Sequence, residues 1–160
     1  MNRNQPSQDE RDDIQDLLRH APARRAKALD LIRTLELPSP TGRDMYSISV
    51  AFLDSRRSGE EFQIVTPLGN IVARFDLAKI TDSRGQLRLY GIYNFYHSQV
   101  DDRDISTFKL ICSLSFEEVH FRFGEPDSAN YGAERPYRDD FKNLVFGWLL
   151  INLADAMKLV

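Results

Sequence analysis

The segment Phe141–Val160, FKNLVFGWLLINLADAMKLV, decides the fold. From Asn143 to Ala154 it carries no charge, and no Pro or turn cluster interrupts Leu144, Val145, Phe146, Trp148, Leu149, Leu150, Ile151 and Leu153. It therefore reads as a helix. At about 100° per residue, Val145, Phe146, Leu149, Leu150, Leu153, Ala156, Met157 and Val160 share one wide stripe, and Phe141, Leu144, Trp148, Ile151 and Leu159 occupy much of the other side. Such a helix is expected to be covered over most of its surface. Asp139 or Asp140 is the expected N-cap, and Lys158 places a cation in the last turn, where the helix dipole favours it. Asn152, Asp155 and Lys158 break the apolar run well short of a membrane span.

A helix of this kind needs a sheet to pack on, and the middle of the chain supplies it. After Arg43, Tyr46, Ile48, Val50 and Phe52 alternate with Ser47, Ser49 and Ala51, the period of a half-buried strand. Residues 62–66 and 70–76 read as a hairpin closed by Pro67-Leu68-Gly69-Asn70. Residues 87–97 and 108–116 form a longer pair across the loop 98–107, and 119–123 make a sixth strand. Residues 124–138, rich in Pro, Gly, Asp and Ser, return the chain to the last helix.

Upstream, Ser7 and Glu10 fit a capping box, so a helix starts there after a polar tail over residues 1–6. Ile14, Leu17 and Leu18 continue it to Ala21-Pro22, where Pro suits the first turn of a second helix reaching about Leu37. That second helix turns Ala28, Leu31, Ile32 and Leu35 inward, with Arg24, Arg25, Lys27 and Arg33 mostly outward, until Pro38 and Pro40 stop it. With no helix between strands, no parallel crossover is needed. The expected class is α+β: two N-terminal helices, an antiparallel meander of about six strands, and a largely buried C-terminal helix packed on the sheet. Residues 1–160 are expected to form one domain.

A chain of 160 residues with 42% hydrophobic and 28% charged residues can bury a core without a disulfide or metal staple. The net charge of -3, with basic residues dispersed, argues against nucleic acid or an anionic membrane as partner. Cys112 is the single cysteine, so no disulfide or Cys-based zinc site is possible within the chain. It alternates with Leu110 and Leu114 and is expected to face the core. The polar N-terminus shows no secretory h-region, so a cytoplasmic location is the expectation.

Signals for chemistry are sparse. No nucleophile elbow or phosphate-binding glycine motif is present, and no cofactor is expected. His20 is read as a structural cation near the C-terminal end of the first helix. Asp101, Asp102 and Asp104, with His97 at the end of the preceding strand, could offer hard oxygen ligands to Mg²⁺ or Mn²⁺. Glu117, Glu118 and His120 could complete such a site. This supports an alternative reading as a metal-dependent hydrolase or nuclease, against which stands a solvated hairpin tip.

The more unusual stretch is LRLYGIYNFYH, 87–97. Leu87, Leu89, Tyr93 and Phe95 share one face, and Arg88, Tyr90, Ile92, Asn94 and Tyr96 the other, so both faces are apolar or aromatic. Either the N-terminal helices cover the second face or that face binds something. The favoured expectation is a non-catalytic module of immunity, chaperone or adaptor type that recognises a protein partner through Arg88, Tyr90, Tyr93, Tyr96 and nearby loops. An enclosed ligand site between sheet and last helix, and a homodimer through an exposed edge strand, are lesser expectations.

Overall fold

The computed structural model describes residues 5–37, 46, 48–52, 61–118, 120–124, 133–134 and 141–157. The expected caps at Asp139 or Asp140, the cation at Lys158 and the stop at Pro38 and Pro40 lie outside the described residues. The elements in order are α1 (Gln8–Glu36), β1 (Ser49–Phe52), β2 (Glu61–Thr66), β3 (Gly69–Thr81), β4 (Leu87–Val100), β5 (Ser106–Phe116), β6 (Phe121–Phe123), β7 (Ala133–Glu134) and α2 (Phe141–Ala156). The strands form one antiparallel sheet in sequence order, so the α+β meander is as the alternating patterns imply.

The first correction concerns the N-terminus, where one helix replaces the expected two. Ser7 caps α1, its hydroxyl accepting the Glu10 N–H at 3.2 Å. The helix then runs straight through Pro22. Proline removes the hydrogen bond that its N–H would have given to the carbonyl four residues earlier, that of Leu18. Leu18 is 68% exposed, so its freed carbonyl is on the wet side of the helix and water can take the lost bond. His20 consequently lies in mid-helix, where the terminal dipole does not act on it.

Both helices pack on the face of the sheet that carries Tyr93 and Phe95, called here the inner face. From α1 come Ala28, Leu31, Ile32 and Leu35, and from α2 come Phe141, Val145, Phe146, Leu149 and Leu153. Aromatic rings run through this core from β2 to α2: Phe62 meets Tyr93 at 5.3 Å, Phe116 meets Phe121 at 5.2 Å, and Phe121 meets Phe141 at 5.3 Å. Tyr93 is fully buried and donates its hydroxyl to the Ala28 carbonyl at 3.1 Å, which fastens α1 to the sheet. Lys142 donates to the Leu37 carbonyl at 2.8 Å and ties the start of α2 to the end of α1. α2 buries a single stripe, and Ile151 on its far side is 63% exposed. Since both helices sit on the inner face, neither supplies the layer expected over the second face of β4.

The edges of the sheet are β1, with four residues, and β7, with two. These outermost strands are short, but β5 pairs with β6 only at Ser115 and Phe116, so among the described residues 106–112 have no strand partner on that side and leave a longer open edge. Among the described residues no helix is long and apolar enough to cross a membrane.

Candidate functional site

The strand pair β4–β5 carries nearly all the residues of interest, and its two ends are built differently. At the tip, a turn joins Val100 to Ser106. Asp101 organises it: its Oδ1 accepts the Arg103 N–H at 2.8 Å and the Ile105 N–H at 3.0 Å, while its carbonyl accepts the Asp104 N–H. Asp104 takes a left-handed φ of 57°. The β3–β4 turn repeats the design, with Asp82 Oδ1 accepting from Arg84 and Gln86 and Gly85 in the left-handed position. Asp101 thus spends its carboxylate on the turn, which is what short acidic side chains do at such positions.

His97 does not join the aspartates. It lies on the inner face, 8% exposed, with Gln99 Nε2 donating to its Nδ1 at 3.3 Å. Glu117, Glu118 and His120 follow the opposite end of β5, roughly 35 Å from the turn at strand rise per residue. Among the described residues, no three His, Cys, Asp or Glu side chains gather closely enough to hold a metal ion. The four residues His97, Asp101, Asp102 and Asp104 are therefore not brought together into a ligand set.

The expected partner-binding residues separate as well. Tyr93 belongs to the core and is unavailable to a partner, a correction that follows from its place on the inner face of β4. Tyr90, next to Arg88 near the start of the strand, is also buried at 6% exposed, which corrects its expected place in a partner surface; Arg88 is exposed, and Tyr96 stands roughly 20 Å from Tyr90 on the same alternation. Around Tyr96 a feature emerges that alternation could not show. The register of β4 on β5 breaks between Phe95 and Tyr96: Phe95 faces Cys112, but Tyr96 faces Leu110, leaving Ile111 as the extra residue of a β-bulge. The bulge reverses the inward and outward order of the lower half of β5. Cys112 and Leu114 keep to the core, where burial pushes the thiol pKa up to about 12, as expected of an unreactive cysteine.

Leu110 and Phe108 turn outward instead, 49% and 57% exposed. Val72, which is itself buried, Tyr96 and Leu110 form one row across β3, β4 and β5, and Val65, Asn70, Ser98 and Phe108 form the next. Val65 is also exposed, and Val100 and Ile105 extend the apolar surface to the tip. Nothing in the sequence marks this bulge, because Phe108, Leu110, Cys112, Leu114 and Phe116 read as one unbroken apolar face.

At the other end of the pair the strands part. The β4–β5 ladder ends at Gly91–Phe116, and Leu87–Tyr90 pair with β3 alone. Between the separated strands lies a cavity of about 410 Å³, whose lining includes Arg24, Arg88, Tyr90, Ser115, Phe116 and Arg122. Its far wall is α1. Arg24, which the pattern of α1 was read as turning outward, is 4% exposed and donates from Nε to the Leu89 carbonyl at 2.9 Å, on a residue with no β5 partner. The signal was present: Arg24 continues the stripe of Ala28, Leu31 and Leu35 at helical spacing, and position outweighed residue type.

Across the mouth, Arg88 makes a two-pronged ion pair with Glu117, at 2.9 Å and 2.6 Å. Burial first, and then the Glu117 carboxylate, raise the Tyr90 pKa above its ordinary value. Lys27 sits beside the cavity with its Nζ out of solvent and 4.9 Å from the Phe121 ring centroid. Its pKa is lowered to about 8, chiefly by burial and next by Arg24, against the opposing pull of Glu118 and Glu117.

No family model matches this chain, and neither a curated protein nor a solved structure matches it.

Proposed function

We propose that this protein is a non-catalytic binding module that takes a protein partner on the outer face of its sheet, at the bulged end of the β4–β5 pair. The observation that carries the reading is the bulge itself. One extra residue, Ile111, turns Leu110 and Phe108 out beside Tyr96 and Val65. An unbulged strand would bury both residues in the core at no cost to solubility. Apolar side chains held outward in adjacent rows on a rigid sheet offer a partner area that is already ordered, so little side-chain entropy is lost on docking. Tyr96 adds a hydroxyl that can hydrogen-bond at the rim. Of the residues expected from the sequence, Tyr96 belongs to this surface, Arg88 and Tyr90 lie at the other end of the strand, and Tyr93 contributes only by holding the sheet to α1.

The test is site-specific photocrosslinking in the native cell with a crosslinking residue at Leu110, and a control at Arg84 in the opposite turn. A discrete adduct at Leu110, absent at Arg84, is expected. The Phe108→Ser, Leu110→Ser double variant is expected to lose the partner while its unfolding free energy changes by no more than about 0.5 kcal/mol, as for exposed positions. A folded double variant that keeps the same partner would sink the reading, and an adduct of twice the chain mass would identify the partner as a second copy.

A further inference from the structure

Among the described residues, two buried polar side-chain atoms have no hydrogen-bond partner, Ser115 Oγ and Lys27 Nζ. Buried polar groups are ordinarily satisfied, because stranding one costs its full desolvation. Both stand at the place where β4 and β5 part: Ser115, fully buried, lines the cavity there, and Lys27 lies beside it. Arg24 is held by its Nε alone, and its two Nη groups make no hydrogen bond to a described residue. Arg122 stands opposite Ser115 on β6 and lines the same space. Donors without acceptors thus converge on one recess, whose only described carboxylates are Glu117 and Glu118, and Glu117 is already bound to Arg88.

We propose that this recess binds a small phosphate monoester, with the phosphate held by Arg24, Arg122 and the Ser115 hydroxyl and the organic group against Leu87 and Leu89. The volume, about 410 Å³, exceeds what a bare phosphate fills and suits a small organic body. The apolar lining from Leu87, with Leu89 behind it, gives that body a surface to lie on. A dianion is favoured over a carboxylate because Arg88 already holds the Glu117 carboxylate in a two-pronged pair. A second monocarboxylate would only exchange like for like there, whereas a phosphate carries enough acceptor oxygens for Arg24, Arg122 and Ser115 together without breaking the Arg88–Glu117 pair. A nucleic acid does not fit, because the cations are recessed in one notch of a chain whose net charge is -3. His20 and His120 also line the recess and can add donors to the same ligand.

The experiment is isothermal titration of the whole chain with phenyl phosphate, inorganic phosphate and benzoate at low ionic strength. Saturable binding of phenyl phosphate is expected, with inorganic phosphate weaker and benzoate weaker by about tenfold or more. Two folded variants locate the site. Arg122→Gln is expected to weaken phenyl phosphate about tenfold, and Ser115→Ala about threefold while its melting temperature holds or rises, because it deletes an orphaned hydroxyl. No heat at about 10 mM phenyl phosphate overturns the proposal. So does benzoate binding as tightly as phenyl phosphate, and so does unchanged affinity in both variants.

Discussion

The two ends of the β4–β5 pair are made from the same two strands and solve opposite problems. At the tip the backbone N–H groups of Asp101, Arg103, Asp104 and Ile105 all find acceptors within five residues of chain, and beside the turn the bulge turns apolar surface outward. At the parted end the leftover groups are polar: Ser115 Oγ and Lys27 Nζ are buried without a partner, and the Nη groups of Arg24 have no acceptor among the described residues, so α1 and β5 both contribute. Local chemistry closes the first end, and packing between distant segments makes the second. A surface built locally tolerates substitution, whereas a recess built from distant segments depends on the alignment of the whole sheet.

The sharpest way to break this contrast is at Gly91, the last β4 residue paired with β5. A Cβ there would point into the ring of Phe116, well inside contact distance, and would lie 3.0 Å from Cε2 of Phe75. Phe116 is 1% exposed and wedged among Phe75, Tyr93 and Phe121, so its ring has nowhere to swing. Gly91→Ala should destabilise the fold by about 2 kcal/mol through overpacking, despite alanine's better strand propensity. Chemical denaturation checks it. A neutral or stabilising outcome would mean that the parted end is slack, and that the recess is not fixed by close packing of Gly91 on Phe116.

The same contrast explains which features could be read in advance. The strands, their meander order and the inward residues of α1 all follow from periodicity, because each is written within a few residues of chain. The Pro22 reading failed because the rule concerns a lost hydrogen bond, while the outcome turned on whether the Leu18 carbonyl could reach water, which depends on where α1 sits. The outward Leu110 and Phe108 were hidden because a bulge is a property of the pairing, not of either strand. The recess was hidden because Arg24 and Ser115 are 91 residues apart and acquire meaning only once α1 lies against the parted strands. By contrast, the weak metal reading of Asp101, Asp102 and Asp104 could have been tempered from the sequence alone. The spacing D-S-R-G-Q at Asp82 and D-D-R-D-I at Asp101 repeats one turn pattern.

A second prediction concerns the charge stranded beside the recess. The Lys27 pKa is lowered from 10.5 to about 8, so the folded state resists its proton while the unfolded chain does not. Between pH 8 and pH 10.5 the unfolded state holds more protons, and stability contributed by this group rises with pH across that window. Below pH 8 the penalty is constant and fully present. Lys27→Met should therefore stabilise the protein at neutral pH, by about 1 kcal/mol once solvent screening of this half-buried side chain is allowed for. The advantage should shrink steadily from pH 8 towards pH 10.5. Paired melts of the two proteins over this range check it, and a gain independent of pH would show that hydrophobic filling, not the buried cation, is responsible.

The smallest expected effect tests whether the tip is as locally determined as its hydrogen bonds suggest. Asp104 and Gly85 occupy the same left-handed position of two turns with matching Asp-centred bonds, so each is a control for the other. An L-residue at this φ costs about 1–2 kcal/mol, and the extra freedom of glycine in the unfolded chain returns roughly half of that. Asp104→Gly should thus stabilise by about 0.5 kcal/mol and Gly85→Asp should destabilise by about the same amount, leaving the double exchange near zero. Additivity of the two changes is the informative quantity, since the turns join different strand pairs and share no partner among their bonds. Additive values would confirm that each turn is governed by its own few residues. A coupling larger than about 0.5 kcal/mol would mean that strain at the tip is transmitted along β4, the strand common to both turns. The bulge at Ile111 would then be the natural place where that strain is absorbed, because it is the one break in the register between the tip and the parted end.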